Sequence, residues 1–589
     1  MTNLETEALA AGGALAAFLA GRLLLIRRVR RVEDWMRRAR RGEPPPASEL
    51  PGRGLLAPLA HEAARLVRSL IDARAVAEQE ARLRQLGDSL WTPERLREHV
   101  RAKLSGRPLV VVANREPYRH VRRGGRVEVE TPASGLVTGL EPLLRACGGT
   151  WIAHGDGDAD FASADASGRL RVPPEQPQYS LRRVRLQEED ARGYYEGFSN
   201  EGLWPLCHIA HTRPVFRAAD WAAYRKVNET FADAVLHEID GQEEPCVLVQ
   251  DYHFTLLPRL LKRRRPDARV ALFWHIPWPN PEAFGICPWQ KELLDGLLGA
   301  DVIGFHTQDH CNNFLDTVDR FLESRVDRAR FAVTRDGSAT AVRPFPISVD
   351  FAESPSEDPV ARAAADRRSV LKETGAEAIV VGVDRLDYTK GILERFRAVE
   401  RFFEKNPDWA GRLTLVQIGA PSRGGLQDYR DFAERVRAEA ARVNARFGGG
   451  APPISLRTRH HTHEEIRRYY RSADACLVTS LHDGMNLVAK EFVASRDDED
   501  GVLILSRFAG AARELRDALI VNPYDVDEVS SAIAATIGMA PNERALRMTL
   551  LRRQVRENNV YRWAADQITE LAAVRLPAPS ATAPGATAL

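Results

Sequence analysis

Between Pro108 and about Asn558 the sequence repeats one pattern: a short, unbroken apolar run followed by a long stretch of helical period. The runs are PLVVVAN, CVLVQDY, RVALFWHIP, DVIGFH, AIVVGVD, LTLVQIG, ACLVTS and GVLILS. A strand with one wet face alternates apolar and polar residues, whereas continuous Val/Ile/Leu runs require helices on both faces, the arrangement of a parallel sheet. The runs fall into two groups, each of a size for one Rossmann-like, doubly wound domain. The expected organisation is an apolar and basic segment at 1–41, a linker and helical extension at 42–107, one Rossmann-like domain at 108–343, a second at 344–573, and a disordered Pro/Ala-rich tail at 574–589.

In such folds ligands bind at the carboxyl ends of the strands, so the residues that follow each run carry the functional reading. They are Asn114-Arg115, Asp251, His275, Asp384-Arg385 and Pro421-Ser422-Arg423. Arg115, Arg385, Lys390 and Arg423 together supply charge for two phosphate-bearing ligands, since guanidinium forks match phosphate oxygens and lysine adds a point charge. Two facing halves of one transfer cleft follow from that distribution. The whole chain has no field to gather nucleic acid: 83 Lys and Arg stand against 81 Asp and Glu, a formal net charge of +2. Six cysteines without C-x-x-C spacing point to neither a disulfide framework nor a thiolate zinc site. The histidines of RTRHHTHEE (His460, His461, His463) and FHTQDH (His306, His310) lack a metal-ligand spacing with a carboxylate support, so no metal is expected. Thr462 and Glu465 read instead as a capping box, and KRRRP as the basic last turn of a helix stopped by Pro266. No G-x-G-x-x-G follows the first strand of either domain, which argues against a nicotinamide site.

At the N-terminus, Ala8 to Ile26 is about the length needed to cross a bilayer and is interrupted only by Arg22, while Arg27 to Arg41 supplies a cationic flank. The expectation is an anchor with the rest of the chain on the cytosolic side; a packed or interfacial helix is the other reading. After the Pro/Gly linker at 42–54, apolar residues from Leu55 to Ala77 recur at helical spacing, and Thr92-Pro93 starts a second short helix.

The segments VVVANREPY, YYEGFSNEGLWPLCH, VLVQDYHFTLLP, FWHIPWPNPEAF, LLGADVIGFHT, VDRLDYTKG, LHDGMNLVAKE and GVLILSRFAGAA occur in the order and spacing of the trehalose-6-phosphate synthases, which the chain resembles over roughly 108–571. These are retaining glycosyltransferases of the GT-B fold, two Rossmann-like domains facing a cleft, that join a nucleotide-activated glucose to glucose 6-phosphate. The resemblance implies that Gly135, Arg385, Lys390, Asp483, Gly484, Met485, Asn486, Leu487 and Glu491 bind the donor. Within that set Asp483 takes sugar hydroxyls, the backbone of 484–487 approaches the diphosphate, and Glu491 takes the ribose. It assigns the acceptor to Arg115, Tyr195, Trp204, Asp251 and Arg423, and places Arg385, Lys390, Asp251 and His275 at the reacting centre. The chemistry agrees: Gly484 permits close backbone approach, and N–H groups opening a helix at about Asn486 favour an anion. With no carboxylate aligned as a nucleophile, the leaving diphosphate is expected to take the proton of the incoming hydroxyl on the same face, with Arg385 and Lys390, expected exposed in the cleft, stabilising the charge. Asp251 and Asp483 as a glycosidase pair is disfavoured by the surrounding cations. No cofactor is implied; the partners are a nucleotide sugar, with UDP-glucose preferred, and a sugar phosphate, and homo-oligomer formation is left open. Two departures stand out: the family's glycine pair is Ser134-Gly135, and its second tryptophan is His154 in GGTWIAHGDGD. They leave a synthase with another phosphorylated acceptor, such as a glucosylglycerol-phosphate synthase, as an alternative, beside an idle homologue that only binds a nucleotide sugar.

Overall fold

The computed structural model describes residues 90–576, apart from 133–134, 210 and 352–357, together with scattered positions between 22 and 35. The expected anchor at 8–26, except Arg22 and Ile26, the linker, the helix from Leu55, the tail beyond 576 and Ser134 lie outside the described residues. Among the described residues no helix is long and apolar enough to cross a membrane. The chain divides into two compact units, 1–90 and 91–589. In the first, the described positions between 22 and 35 are helical, and Val32 and Trp35 are buried.

The second unit holds two sheets. The first contains β1 (Leu109–Val112), β4 (Thr150–His154), β5 (Arg169–Val172), β6 (Tyr179–Val184), β7 (Cys246–Gln250), β8 (Arg269–Phe273), β9 (Val302–Phe305), β10 (Arg325–Asp327), β11 (Ala332–Arg335) and β12 (Ser338–Pro344), with the hairpin β2 (Arg119–Arg123) and β3 (Arg126–Glu130) beside it. The second contains β13 (Ala378–Arg385), β14 (Leu413–Ala420), β15 (Ile454–Arg457), β16 (Ala475–Val478), β17 (Val502–Ser506) and β18 (Leu519–Val521). The second sheet is wholly parallel in the order β15-β14-β13-β16-β17-β18, and the first is parallel across β12-β9-β8-β7-β1-β4-β6 with antiparallel edges at β5 and at β10-β11. Every residue of β1, β7, β16 and β17 is buried, as continuous apolar runs require. Along β1 the pleat sends Val111 into one core and Val110 and Val112 into another on the opposite face.

Numbered within its own sheet, the second runs 3-2-1-4-5-6 and the parallel part of the first runs 3-2-1-4-5-6-7, so each reverses direction once, beside its first strand. The reversal falls between β1 and β7 in the first sheet and between β13 and β16 in the second. Crossover helices leave those points on opposite faces and open a crevice at the strand ends, where ligands sit in doubly wound folds. Arg115 and Asp251 follow β1 and β7; Arg385 ends β13, and Asp483 follows β16.

Two terminal helices tie the halves together. The helix Pro93–Lys103, capped by Thr92 with Pro93 in its first turn as the sequence predicts, buries Leu96 and Val100. The last helix, Val560–Ala572, follows the second sheet in sequence but packs on the first: Trp563 meets Phe273 edge-on at 5.3 Å, and Arg269 donates to the carbonyl of Ala572 at 3.3 Å. The Val560 N–H also donates to the Val349 carbonyl at 3.1 Å, so both crossings between the halves run side by side.

Candidate functional site

On the acceptor side, Arg115 leaves β1 and donates to the Tyr195 hydroxyl at 3.0 Å. Tyr195 comes from a π-helix, Arg192–Leu203, which runs directly into the short helix Trp204–His208. The wider turn of a π-helix changes where side chains point, and such segments concentrate at functional sites. Here it sets the Tyr195 ring in a stack on His253, 5.7 Å between centroids, and delivers Trp204 to the cleft floor. Burial opposes ionisation of Tyr195, but Arg115, Arg423 and Arg385 overcome it and bring the phenol down to about 8. Arg423 and Arg385 also flank the neighbouring Trp204 ring, at 3.9 and 5.4 Å. Asp251, just past β7, adopts φ +75°, an uncommon conformation for a residue with a Cβ. Its carboxylate accepts from the N–H groups of Tyr252 at 3.0 Å and His275 at 3.1 Å, while burial lifts its pKa to about 7.

On the donor side, Lys390 and Asp483 meet across the second reversal point, Nζ to Oδ2 2.6 Å. Ser480 and Asn486 also donate to that oxygen, at 3.0 and 3.1 Å. Burial works against the Asp483 charge, yet Lys390 holds the pKa at about 2. Asn486 caps the helix Leu487–Ser495 at φ +68° without a side-chain capping bond, leaving N–H groups of the first turn for an anionic ligand. Gly484 lies so close to the other half that a Cβ would overlap the His275 carbonyl oxygen. A Cβ on Gly135 would touch the Leu487 side chain at 3.3 Å, bringing the first-loop glycine to the start of that helix. Met485 is buried and its carbonyl accepts from Ala511 at 2.9 Å. Glu491, one turn along, accepts from Tyr470 at 3.4 Å, and burial raises its pKa. His275 is kept neutral by burial, near 3, with Nε2 2.9 Å from Gln250 Oε1. Lys390 departs from expectation: its side chain is 13% exposed, against 37% for Arg385, because it is locked on the half-buried Asp483 carboxylate rather than free in the cleft.

Between the sides stands a residue that the sequence reading passed over. Asp387 is fully buried; Oδ1 accepts from the Thr389 N–H and hydroxyl, and Oδ2 lies 3.5 Å from Arg423 and 3.6 Å from Arg385. Arg423, at φ +44°, lays its guanidinium 3.9 Å above the Trp204 ring and donates to the Tyr252 hydroxyl of the other half at 3.4 Å, with Tyr429 as a further acceptor. Behind Lys390, Arg395 is buried and donates to Asp384 at 2.5 Å and Gln417 at 2.7 Å, a rigid support for the β13 turn. Only the spacing of DRLDYTKG hinted at Asp387; nothing in the sequence distinguishes it from Asp384.

The set that comes together is an anion-binding cleft with one carboxylate on each side, suited to moving a hydroxylated group between two phosphate-bearing molecules. Of the histidine clusters, His306 reaches the site, with Nε2 3.0 Å from the His275 carbonyl oxygen, whereas Thr462 and Glu465 form the expected capping box and His310 sits in the first turn of the helix Gln308–Phe321.

The chain matches glycosyltransferase family 20 over residues 107–573. It is 41% identical over 485 residues to the trehalose-6-phosphate synthase of Mycolicibacterium vanbaalenii, covering 80% of this chain and 97% of that protein. Among solved structures it is similar to an E. coli trehalose-6-phosphate protein bound with UDP-2-fluoro glucose, at TM-score 0.70 and 33% identity, covering 80% of this chain and 99% of that one. It is likewise similar to an α,α-trehalose-phosphate synthase (UDP-forming) from Burkholderia xenovorans in complex with glucose-6-phosphate, at TM-score 0.69 and 30% identity, covering 79% and 99%.

Proposed function

The chain belongs to glycosyltransferase family 20, and on that premise we propose how its residues divide the work of transfer. The enzyme moves glucose from UDP-glucose to glucose 6-phosphate with retention, giving trehalose 6-phosphate and UDP. The lobe at 108–343 takes the acceptor and the lobe at 344–573 takes the donor. Arg115, Tyr195 and Arg423 hold the acceptor's phosphate, Trp204 offers its ring to the apolar face of the sugar, and Asp251 accepts from a hydroxyl. Asp483 and Glu491 accept from the glucose and ribose hydroxyls, Gly135 and the backbone of 484–487 pack on the diphosphate, and His275 contacts the donor sugar beside the reacting carbon. As the bond from the anomeric carbon to the diphosphate lengthens, Arg385 and Lys390 take up the charge on the leaving oxygen. The acceptor hydroxyl then bonds to that carbon from the same side and its proton passes to the diphosphate. Positioning and charge stabilisation carry such a step without an enzyme nucleophile.

The observation that supports this reading best is the meeting of guanidiniums from both lobes: Arg115 of the first donates to the Tyr195 hydroxyl at 3.0 Å, and Arg423 and Arg385 of the second stand 3.9 and 5.4 Å from the Trp204 ring. Such a grouping suits two phosphate-bearing ligands held close together. The test is incubation of the full chain with UDP-glucose and glucose 6-phosphate, with product identified by mass spectrometry and by the anomeric couplings in its NMR spectrum. An α,α-linked disaccharide phosphate is expected; UDP-glucose turned over only by water, or not at all, would sink the reading. We further propose that residues 8–26 tether the enzyme to the cytosolic face of a membrane. Full-length protein recovered wholly in the soluble fraction after cell breakage would remove the tether.

A further inference from the structure

Arg115 and Tyr195 border more than the transfer cleft. On their other side opens a cavity of about 400 Å³, walled by the end of β1 (Asn114, Glu116), the end of β4 (His154, Asp156), the hairpin residue Arg119 and the start of the π-helix (Arg192, Glu196), with Glu188 at its edge. That volume lies in the range of small-molecule sites, about 300–1,000 Å³. None of Trp204, Asp251, His275, Arg423, Lys390 or Asp483 lines it. The space shares Arg115 and Tyr195 with the proposed acceptor site and none of those six residues.

His154 is what keeps it open. It ends β4 opposite β1, with its N–H on the Asn114 carbonyl at 3.3 Å, and its side chain lines the cavity. An indole there would take up volume that the imidazole leaves free. The walls are polar and of both signs. Among the described residues neither Arg115 nor Arg192 forms an ion pair, the Asn114 amide oxygen is buried and reaches no donor, and Glu188 and Glu196 stand without cationic partners. Glu116 is buried on Arg183 at 2.7 Å, and burial, then Asp160, keeps it protonated up to about 9. A second anion would face Asp156, Glu188 and Glu196. A neutral polyhydroxyl group meets no such penalty, since its hydroxyls donate to carboxylates and accept from guanidiniums.

We propose that this cavity is a subsite for a hydroxylated substituent esterified to the acceptor's phosphate, so that the enzyme accepts sugar 6-phosphodiesters as well as the monoester. The diester keeps one negative charge for Arg115, and the bond made at the anomeric hydroxyl is unchanged. The inference rests on the proposed acceptor site, and its test separates the two. Binding of glucose 6-phosphate and of its glycerol phosphodiester to the full chain is measured by calorimetry in the presence of UDP, and transfer from UDP-glucose to each is followed in parallel. Dissociation constants within about tenfold of each other are expected, because the lost charge is offset by new hydroxyl contacts. Replacing His154 by Trp should then weaken the diester relative to the monoester by at least about tenfold, the overpacking falling on the substituent alone. A diester bound more than tenfold more weakly than the monoester, or a ratio unmoved by H154W, overturns the subsite. Failure of glucose 6-phosphate to bind or react overturns the acceptor site itself; tight diester binding in that case would still support the subsite.

Discussion

Asp251 and Tyr195 stand on either side of neutrality for opposite reasons. Burial holds the Asp251 carboxyl up to about 7, and surrounding guanidiniums, against burial, bring the Tyr195 phenol down to about 8. An acceptor hydroxyl needs an ionised Asp251, and an acceptor phosphate needs an uncharged Tyr195. The pH dependence of kcat/KM for the acceptor should therefore be a narrow bell, rising as pH passes about 7 and falling beyond about 8, since this ratio reports free-enzyme ionisations. Asp251→Asn should abolish the rising limb near 7, leaving only that of the acceptor phosphate near 6, and Tyr195→Phe should abolish the falling one. A bell unchanged in both variants would disprove the assignment. The two diphosphate cations should also part company. Arg385→Ala and Lys390→Ala are each expected to cut turnover on the order of 100-fold or more. Only Lys390→Ala should also destabilise the fold, by about 1–3 kcal/mol, because it leaves the half-buried Asp483 carboxylate without its cation and with only Ser480 and Asn486 as side-chain donors. Chemical denaturation of both variants reads this directly. From sequence, these residues were legible because each follows an apolar run or lies within a motif. Asp387 was not, because its influence comes from where its oxygen is buried among Arg385, Arg423 and Thr389, and burial of a single Asp leaves no local pattern.

The strands were the most legible elements, since an unbroken apolar run has one physical explanation when helical periods separate it from the next. The π-helix Arg192–Leu203 was not legible. YYEGFSNEGLW has neither a helical nor a strand period, and its glycines argue against a helix by propensity. Tertiary contact resolves the conflict: a Cβ at Gly193 would crowd Ala223, and one at Gly197 would run into Asp220, so glycine is what lets the segment lie against the helix Ala218–Glu238. Close approach of a similar kind governs the loop after β16. Gly484→Ala drives a Cβ into the His275 carbonyl and must move one half of the site relative to the other. The expected result is a loss of about 1–3 kcal/mol in stability with transfer reduced at least 100-fold. Normal turnover of a G484A protein would show that the approach is slack.

At the scale of the molecule, one core cluster runs without interruption from Leu96 and Leu104 through Phe345 and Ile379 to Trp563 and Leu571. The order of elements in the sequence gave no sign of this, because the last helix sits beside the second sheet in sequence and the first in space. A chain beginning at Leu90 should unfold at the same temperature as the full protein's catalytic unit. One beginning at Ser105 loses the buried Leu96, Val100 and Leu104, at about 2–5 kcal/mol for each leucine, and its Tm should fall on the order of 10 °C or more. Equal melting temperatures for the two truncations would contradict the packing. The return of Val560–Ala572 to the first sheet also bears on how the protein is made. Synthesis runs from the N-terminus, so the first lobe emerges from the ribosome with Phe273 and its neighbours uncovered, and the helix that covers them is translated only after all the strands of the second sheet. The nascent first lobe is therefore a client for chaperones until Val560–Ala572 has emerged, and a premature stop ahead of Val560 should send both lobes to degradation together.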